Sequence, residues 1–339
     1  GSERATEGLM PGGGHGGRLD KDNGQVYNVD STDMADVMTY DGLVRDSIIH
    51  TGDDGADTIT VNGLVTASTG KVTDILAKGA ASVITVNGTA DADAAVRSSG
   101  DLSIKATGTG ASIGISGARG GVLTSANGKA AVEAEQVTIA GSVHGTYAAS
   151  GFIDVEGDTV SVSGTGNGDV YGVRSEAAGG QPARTGVTGT DSLTVSALSG
   201  SGGDAFGVYS EGNGSQRASG TLSGDKDVQI SANSRSANAT GMGAVSATNR
   251  VSGSTVGLEV EASMGNAVGL LASVNPAPAT GTATLGRSNP IQPGTIAVTP
   301  TSRPGTRTVA RAAGDVRSSP SATTHATARR PLPLPRPPP

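Results

Sequence analysis

Asp154, Glu156 and Asp158 stand at i, i+2 and i+4. In an extended strand alternate side chains share one face, so this spacing would line three carboxylates along one surface. Carboxylates held that close shift each other's pKa. They can then divide the roles of general acid and general base, or hold Ca²⁺ together. A polysaccharide-active enzyme could use such a set. The competing reading is a solvated outer face, with Ile153 and Val155 turned toward the core. Gly157 weakens a strand here, and the segment has no neighbouring Arg or Lys to bind an acidic sugar.

A second carboxylate set lies at Gly52-Asp53-Asp54-Gly55-Ala56-Asp57-Thr58-Ile59-Thr60. It resembles the calcium-binding nonapeptide of RTX proteins, except that Asp53 replaces the second glycine. Ca²⁺ takes several oxygen ligands, which carboxylates and the carbonyls of a tight turn supply. Asp53, Asp54 and Asp57 are therefore the candidate calcium ligands. However, the roll builds each site from consecutive copies, and residues 61–69 do not match. The alternative is a plain Asp/Gly turn before a strand; no other cofactor is expected.

The histidines are His15, His50, His144 and His325, and no Gly-x-Ser-x-Gly elbow accompanies them, so a nucleophilic triad is unsupported. Gly-Thr-Gly at 108–110 and Gly-Thr-Gly-Asn-Gly at 164–168 read as turns, because no helix follows to receive a dinucleotide. Tyr171, Phe206 and Tyr209 recur close to glycines, with Glu176 and Glu211 ending the same units. They make either a strip that binds a sugar or protein, or packing within each unit. Pro335 and Pro338 read as noise in a Pro/Arg-rich run.

Any such residues must be positioned by a repeat. Thr159-Val160-Ser161-Val162 is followed by Tyr171-Gly172-Val173, and the pair returns as Ser192–Val195 with Phe206-Gly207-Val208. It returns again as Asp227–Ile230 with Thr240-Gly241-Met242, and as Gly257–Val260 with Val268-Gly269-Leu270. Weaker copies are Leu102-Ser103-Ile104 with Ile113-Gly114-Ile115, and Val137-Thr138-Ile139 with Tyr147-Ala148-Ala149. Upstream, Ile59-Thr60-Val61-Asn62-Gly63 reappears as Ile84-Thr85-Val86-Asn87-Gly88. The pulses alternate apolar and polar residues, the period of a half-buried strand, and Asn-Gly is turn chemistry. Repeated units that share one core predict a solenoid.

Composition agrees. The chain has 339 residues with 54 Gly, five Tyr, two Phe and no Trp, so its core must be thin and built of Val, Ile, Leu and Ala. Gly, Ser, Thr, Asn and Asp disfavour helix, and Ala130–Gln136, the best helical stretch, is too short to stand alone. Cysteine is absent, which excludes disulfides and thiolate metal sites. No apolar run is long enough to cross a membrane as a helix.

Residues 275–339 carry eight Arg and one acid, a net +7. Residues 1–274 hold 16 basic and 30 acidic residues, a net −14, which argues against nucleic acid as a partner. The organisation expected is a linker or irregular cap over 1–41, a β-solenoid over 42–274, and a disordered Pro/Arg-rich tail over 275–339 that holds 13 of the 15 prolines. The tail reads as a stalk or as out-of-frame translation, and the chain as a piece of something longer.

Gly-Asp-Val-Tyr-Gly-Val-Arg-Ser-Glu (168–176), Gly-Asp-Ala-Phe-Gly-Val-Tyr-Ser-Glu (203–211) and Gly-Asn-Ala-Val-Gly-Leu-Leu-Ala (265–272), each after a strand pulse, resemble the passenger region of bacterial autotransporters. The resemblance covers roughly residues 42–274. It implies an all-β fold, a right-handed parallel β-helix, displayed at the cell surface or secreted by a Gram-negative bacterium. Many such passengers are adhesins and others are proteases or lipases, and the resemblance does not choose among them; the first reading is adhesion or self-association through an extended polar face, without catalysis. The partners expected are a host-cell or matrix surface, a glycan or a second copy. Contact with a membrane would come only through a barrel domain, whose strands this chain lacks. The alternative function is the polysaccharide-active enzyme built on Asp154, Glu156 and Asp158.

Overall fold

Short aliphatic side chains and few aromatics leave only a thin interior to fill, and the chain fills it by winding. The structure, a computed structural model, describes Ala35, residues 37–51, 55–213 and 216–273, and outside them only short strand segments. The expected linker and tail lie largely outside the described residues. Among the described residues there is no helix.

Each coil gives one strand to each of three columns. The first column stacks Ile48–His50, Val72–Ala77, Asp101–Ala106 and Lys129–Glu133. The second stacks Thr58–Val61, Val83–Val86, Ser112–Ser116 and Gln136–Gly141. The third runs through Val65–Ala67, Val96–Ser98, Gly120–Ser125, His144–Ala149, Val170–Glu176, Ala205–Glu211, Ala239–Val245 and Asn266–Ser273. In two coils the first and second columns fuse into single long strands, Gly151–Gly166 and Ala183–Ser199, and then separate again. All of these pairings are parallel, and the fold is an all-β parallel solenoid compatible with a β-helix.

Register places like over like. Ile59, Ile84, Ile113, Val137, Val160, Leu193 and Val228 form one inward file, and Val61, Val86, Ile115, Ile139, Val162, Val195 and Ile230 form the next. None of them is more than 2% exposed. Burying each such side chain contributes about 1.5–3 kcal/mol, so the files carry the fold without large aromatics. Ala130–Gln136 does not become helical: Lys129–Glu133 is a strand and the next begins at Gln136. Stacking on the neighbouring coil outweighs the helical preference of a stretch too short to form a helix by itself.

The repeat has a different phase from the one its weaker copies suggest. Ile104 belongs to the first column, and the residue in register with Ile139 is Ile115. One coil before Tyr171-Gly172-Val173 stands His144-Gly145-Thr146, not Tyr147-Ala148-Ala149. The glycine of that step has a steric reason. A Cβ on Gly172 would lie 2.7 Å from the carbonyl oxygen of Gly207, and one on Gly207 would lie 2.6 Å from that of Gly241. Gly145 and Gly241 meet the carbonyls of Gly172 and Gly269 in the same way, at 2.8 and 2.7 Å. The file is glycine because the backbone of the next coil occupies the space of a side chain.

Candidate functional site

The three columns present three different outer surfaces. On the first, the outward residues from Val72 to Thr188 number fifteen, and eight are charged: Asp74, Asp101, Lys105, Lys129, Glu133, Asp154, Glu156 and Arg184. Asp154 and Glu156 share this surface, while Ile153 and Val155 point inward and are buried. Asp158 lines a concavity with Glu156 but lies at an irregularity in the strand. The strand shifts register between Gly157 and Thr159, and Asp158 accepts a hydrogen bond from Thr190 Oγ1 at 3.0 Å. The strand itself runs through Gly157, which pairs with Gly189 of the following coil, while the preceding coil pairs up to Glu156 and again from Thr159.

Glu156 stands beside Glu133 on the adjacent strand, and Lys105 Nζ lies 3.3 Å from Glu133 Oε2. A lysine is therefore close to the carboxylates, brought there by coil stacking from about fifty residues upstream. Partial burial, then the charge of Glu133, raises the pKa of Asp154. The charge of Asp154, then burial, raises that of Glu156. A concavity of about 270 Å³ opens beside them, lined by Glu133, Glu135, Glu156, Asp158, Thr188 and Thr190. It is shallow and open, and Glu135 is already engaged by the N–H of Gly110 at 2.7 Å. The replacement of Asp154 by Asn together with Glu156 by Gln relieves repulsion between two exposed groups. It is expected to change stability by no more than about 0.5 kcal/mol in a thermal melt. A glycan cleavage activity that vanished in this variant would establish the enzyme reading.

The calcium candidates divide. Asp53 and Asp54 lie outside the described residues. Asp57 is fully buried at the start of its strand, and its N–H donates to Ser82 Oγ at 3.0 Å. Among the described residues, no group of three or more His, Asp and Glu side chains is placed to hold a metal ion. His50 turns to the next coil, with Nε2 2.8 Å from Asp74 Oδ2 on a half-exposed surface. Gly110 and Gly168 have positive φ and sit in turns between columns.

The second surface is the opposite of the first. Across six successive coils its three outward rows comprise Thr58, Thr60 and Asn62; Val83, Thr85 and Asn87; Ser112, Gly114 and Ser116; Gln136, Thr138 and Ala140; Thr159, Ser161 and Ser163; and Ser192, Thr194 and Ser196. None of these eighteen is charged. At its margin Asn87 Nδ2 donates to Asn62 Oδ1 at 2.8 Å, and Asn62 Nδ2 donates to Asp41 Oδ1 at 2.8 Å, an amide ladder that runs along the coil axis.

The third surface gathers aromatics. Tyr147, Tyr171, Phe206 and Tyr209, four of the seven in the chain, sit on three successive strands. Tyr171 and Phe206 are in register and stack, with centroids 4.9 Å apart and 10° between planes. Arg174 lies between two rings, its guanidinium carbon 4.2 Å from the Tyr147 centroid and 4.3 Å from that of Tyr171. Its Nε donates to Glu176 Oε1 at 2.6 Å, and Tyr147 donates its hydroxyl to Glu176 Oε2 at 2.9 Å. Tyr209 tilts over both stacked rings and donates to Glu211 Oε2 at 2.7 Å. Burial first, and then the bond to Glu211, raises the Tyr209 phenol beyond the usual tyrosine range.

Beneath this patch His144 is 4% exposed, with its ring edge-on to Tyr147 at 5.4 Å and passing over Gly120. Burial, then the charge of Arg174, lowers its pKa to about 4. The charge of Asp93, and after it the Gly145 backbone, pull the other way. Sequence spacing pointed to Tyr171, Phe206 and Tyr209 with Glu176 and Glu211. It missed Tyr147, Arg174 and His144, which join them only through the register of coils of unequal length.

Comparison with known proteins finds no family model that matches the chain, no matching curated protein and no matching solved structure.

Proposed function

We propose that the chain is the contact region of a surface-displayed or secreted solenoid, similar to an autotransporter passenger of a Gram-negative bacterium. It acts in adhesion or self-association, and it makes contact without catalysis. The observation that carries this reading is the charge-free second surface. Residues 1–274 carry a net −14, so two copies, or a copy and an anionic cell surface, repel each other through most of the solenoid. Among the described residues this face, mostly hydroxyl and amide groups, is a broad surface where approach costs little electrostatic energy. Each group there both donates and accepts, so a glycan, a matrix protein or a second copy can be met without a fixed pattern of partners.

Six coils at about 4.8 Å span roughly 29 Å, and three outward rows are about 14 Å wide. The resulting area of roughly 400 Å² is half of what one partner contributes to a standard interface, so a single contact is weak. Many copies displayed together convert weak contacts into useful avidity. The test places charge on the surface: Thr60→Glu, Ser161→Glu and Thr194→Glu combined, against Ser103→Glu and Thr188→Glu on the first surface. The first set is expected to lower cell binding or self-association at least tenfold, about 1.4 kcal/mol, with the melt unchanged. Equal losses from both sets would remove the second surface from the account.

A further inference from the structure

The row of Tyr147, Arg174 and Tyr209 is not needed to hold the core. Val173 and Val208 fill the interior behind it, and the same row upstream is occupied by Thr66, Arg97 and Leu123 in the same parallel register. Even so, most of the chain's scarce aromatic residues are gathered in the aromatic patch, with Tyr147, Arg174, Glu176, Phe206, Tyr209 and Glu211 all keeping part of their surface in solvent.

Its chemistry selects one kind of ligand. An anion is disfavoured, because the Arg174 guanidinium is already bonded to Glu176 and a second carboxylate, Glu211, stands in the same row. A cation finds the faces of Tyr147 and Tyr171 already filled by Arg174. A protein partner is disfavoured by size. Three strands at about 4.8 Å spacing and a width of about 14 Å give roughly 200 Å², far below the ~800 Å² of a protein interface.

What remains is a small, uncharged, polyhydroxylated molecule with an apolar C–H face. Phe206 and Tyr209 offer apolar ring surface. Glu176 and Glu211 offer oriented carboxylates, each with acceptor capacity beyond the bonds it already makes. All are pinned by stacking and hydrogen bonds, so little side-chain entropy is lost on binding. We infer that Tyr147, Arg174, Glu176, Phe206, Tyr209 and Glu211 form a subsite for one or two residues of a neutral saccharide. It lies on a different surface from the contact array and does not depend on it.

The chain has no Trp, and three of its five Tyr lie in this patch, so tyrosine emission reports on it directly. The probes are cellotriose, maltotriose, chitotriose and mannotriose, with trigalacturonate as the anionic comparison. At least one neutral trisaccharide is expected to change the emission saturably below ~10 mM. Tyr209→Ala and Glu211→Gln should each weaken that binding at least fivefold, and Tyr40→Phe should leave it unchanged. Circular dichroism confirms that each variant is folded, and Glu211→Gln keeps the side-chain shape if Tyr209→Ala disturbs the strand. The inference is overturned if no neutral probe gives a saturable change, if trigalacturonate binds more tightly than all of them, or if folded Tyr209→Ala and Glu211→Gln bind as well as the parent. Unchanged binding in the Thr60/Ser161/Thr194 variant is expected whether or not the contact surface is real.

Discussion

Gly207→Val is expected to cost more than about 3 kcal/mol of stability, the upper part of the range for overpacked cores, whereas Gly114→Val is expected to cost less than about 0.5 kcal/mol. Both glycines sit in the same local pattern, Phe206-Gly207-Val208 and Ile113-Gly114-Ile115. They differ in what surrounds them. A Cβ on Gly207 would lie 2.6 Å from both the Gly241 carbonyl oxygen and Ile230 Cγ2, and the carbonyl cannot retreat without breaking the ladder between coils. A Cβ on Gly114 has nothing within 4 Å and would point outward on the second surface, where a β-branched residue suits a strand. Denaturant titration of the two variants checks this. Equal losses would mean that the glycine file is not in contact between coils.

The second large effect concerns acid. The His144 pKa is lowered from 6.5 to about 4 in the folded chain, chiefly by burial and next by Arg174. Above pH 6.5 the ring is neutral in both states and contributes no pH dependence. As pH falls from 6.5 toward 4, the unfolded chain takes up a proton that the folded chain refuses, so stability falls. Below about pH 4 the loss levels off. A shift of this size corresponds to a loss on the order of 3 kcal/mol. Asp154 and Glu156 act in the opposite sense: their folded pKa values are raised, so each adds stability as pH falls and loses it as pH rises. Both are partly or mostly exposed, so their offset is small. His144→Phe should therefore flatten the melting temperature between pH 6.5 and 4 relative to the parent. A variant that follows the parent's pH profile would place the ring in water rather than beneath Tyr147.

Much of the architecture is legible in the residues. Ile59-Thr60-Val61 and Ile84-Thr85-Val86 alternate with period two and stack in exact register one coil apart, because identical pulses bury identical files. The phase of the repeat is harder to read. Leu102-Ser103-Ile104 looks like Val137-Thr138-Ile139, yet the two lie in different columns, and coil lengths vary enough to hide the offset. Gly157 suggests a break, but its pairing with Gly189 of the following coil carries the strand through, with one irregularity after it.

The surfaces are less legible still. Lys105 meets Glu133, and Tyr147 meets Arg174, through stacking of residues with no fixed separation. The charge-free second surface is spread over six short pulses, each of which alone is an ordinary polar strand face. Only the register shows that the charged residues have been placed on the neighbouring surface instead.

The most direct measurement uses the absence of cysteine. A single nitroxide label is attached at Ser161→Cys on the second surface or at Ser103→Cys on the first, and its spectrum is recorded with excess unlabelled chain and with target cells. Immobilisation at position 161 and continued mobility at position 103 is the result expected of a contact solenoid. Immobilisation at position 103 alone, or at neither position while binding is otherwise demonstrated, would contradict the account.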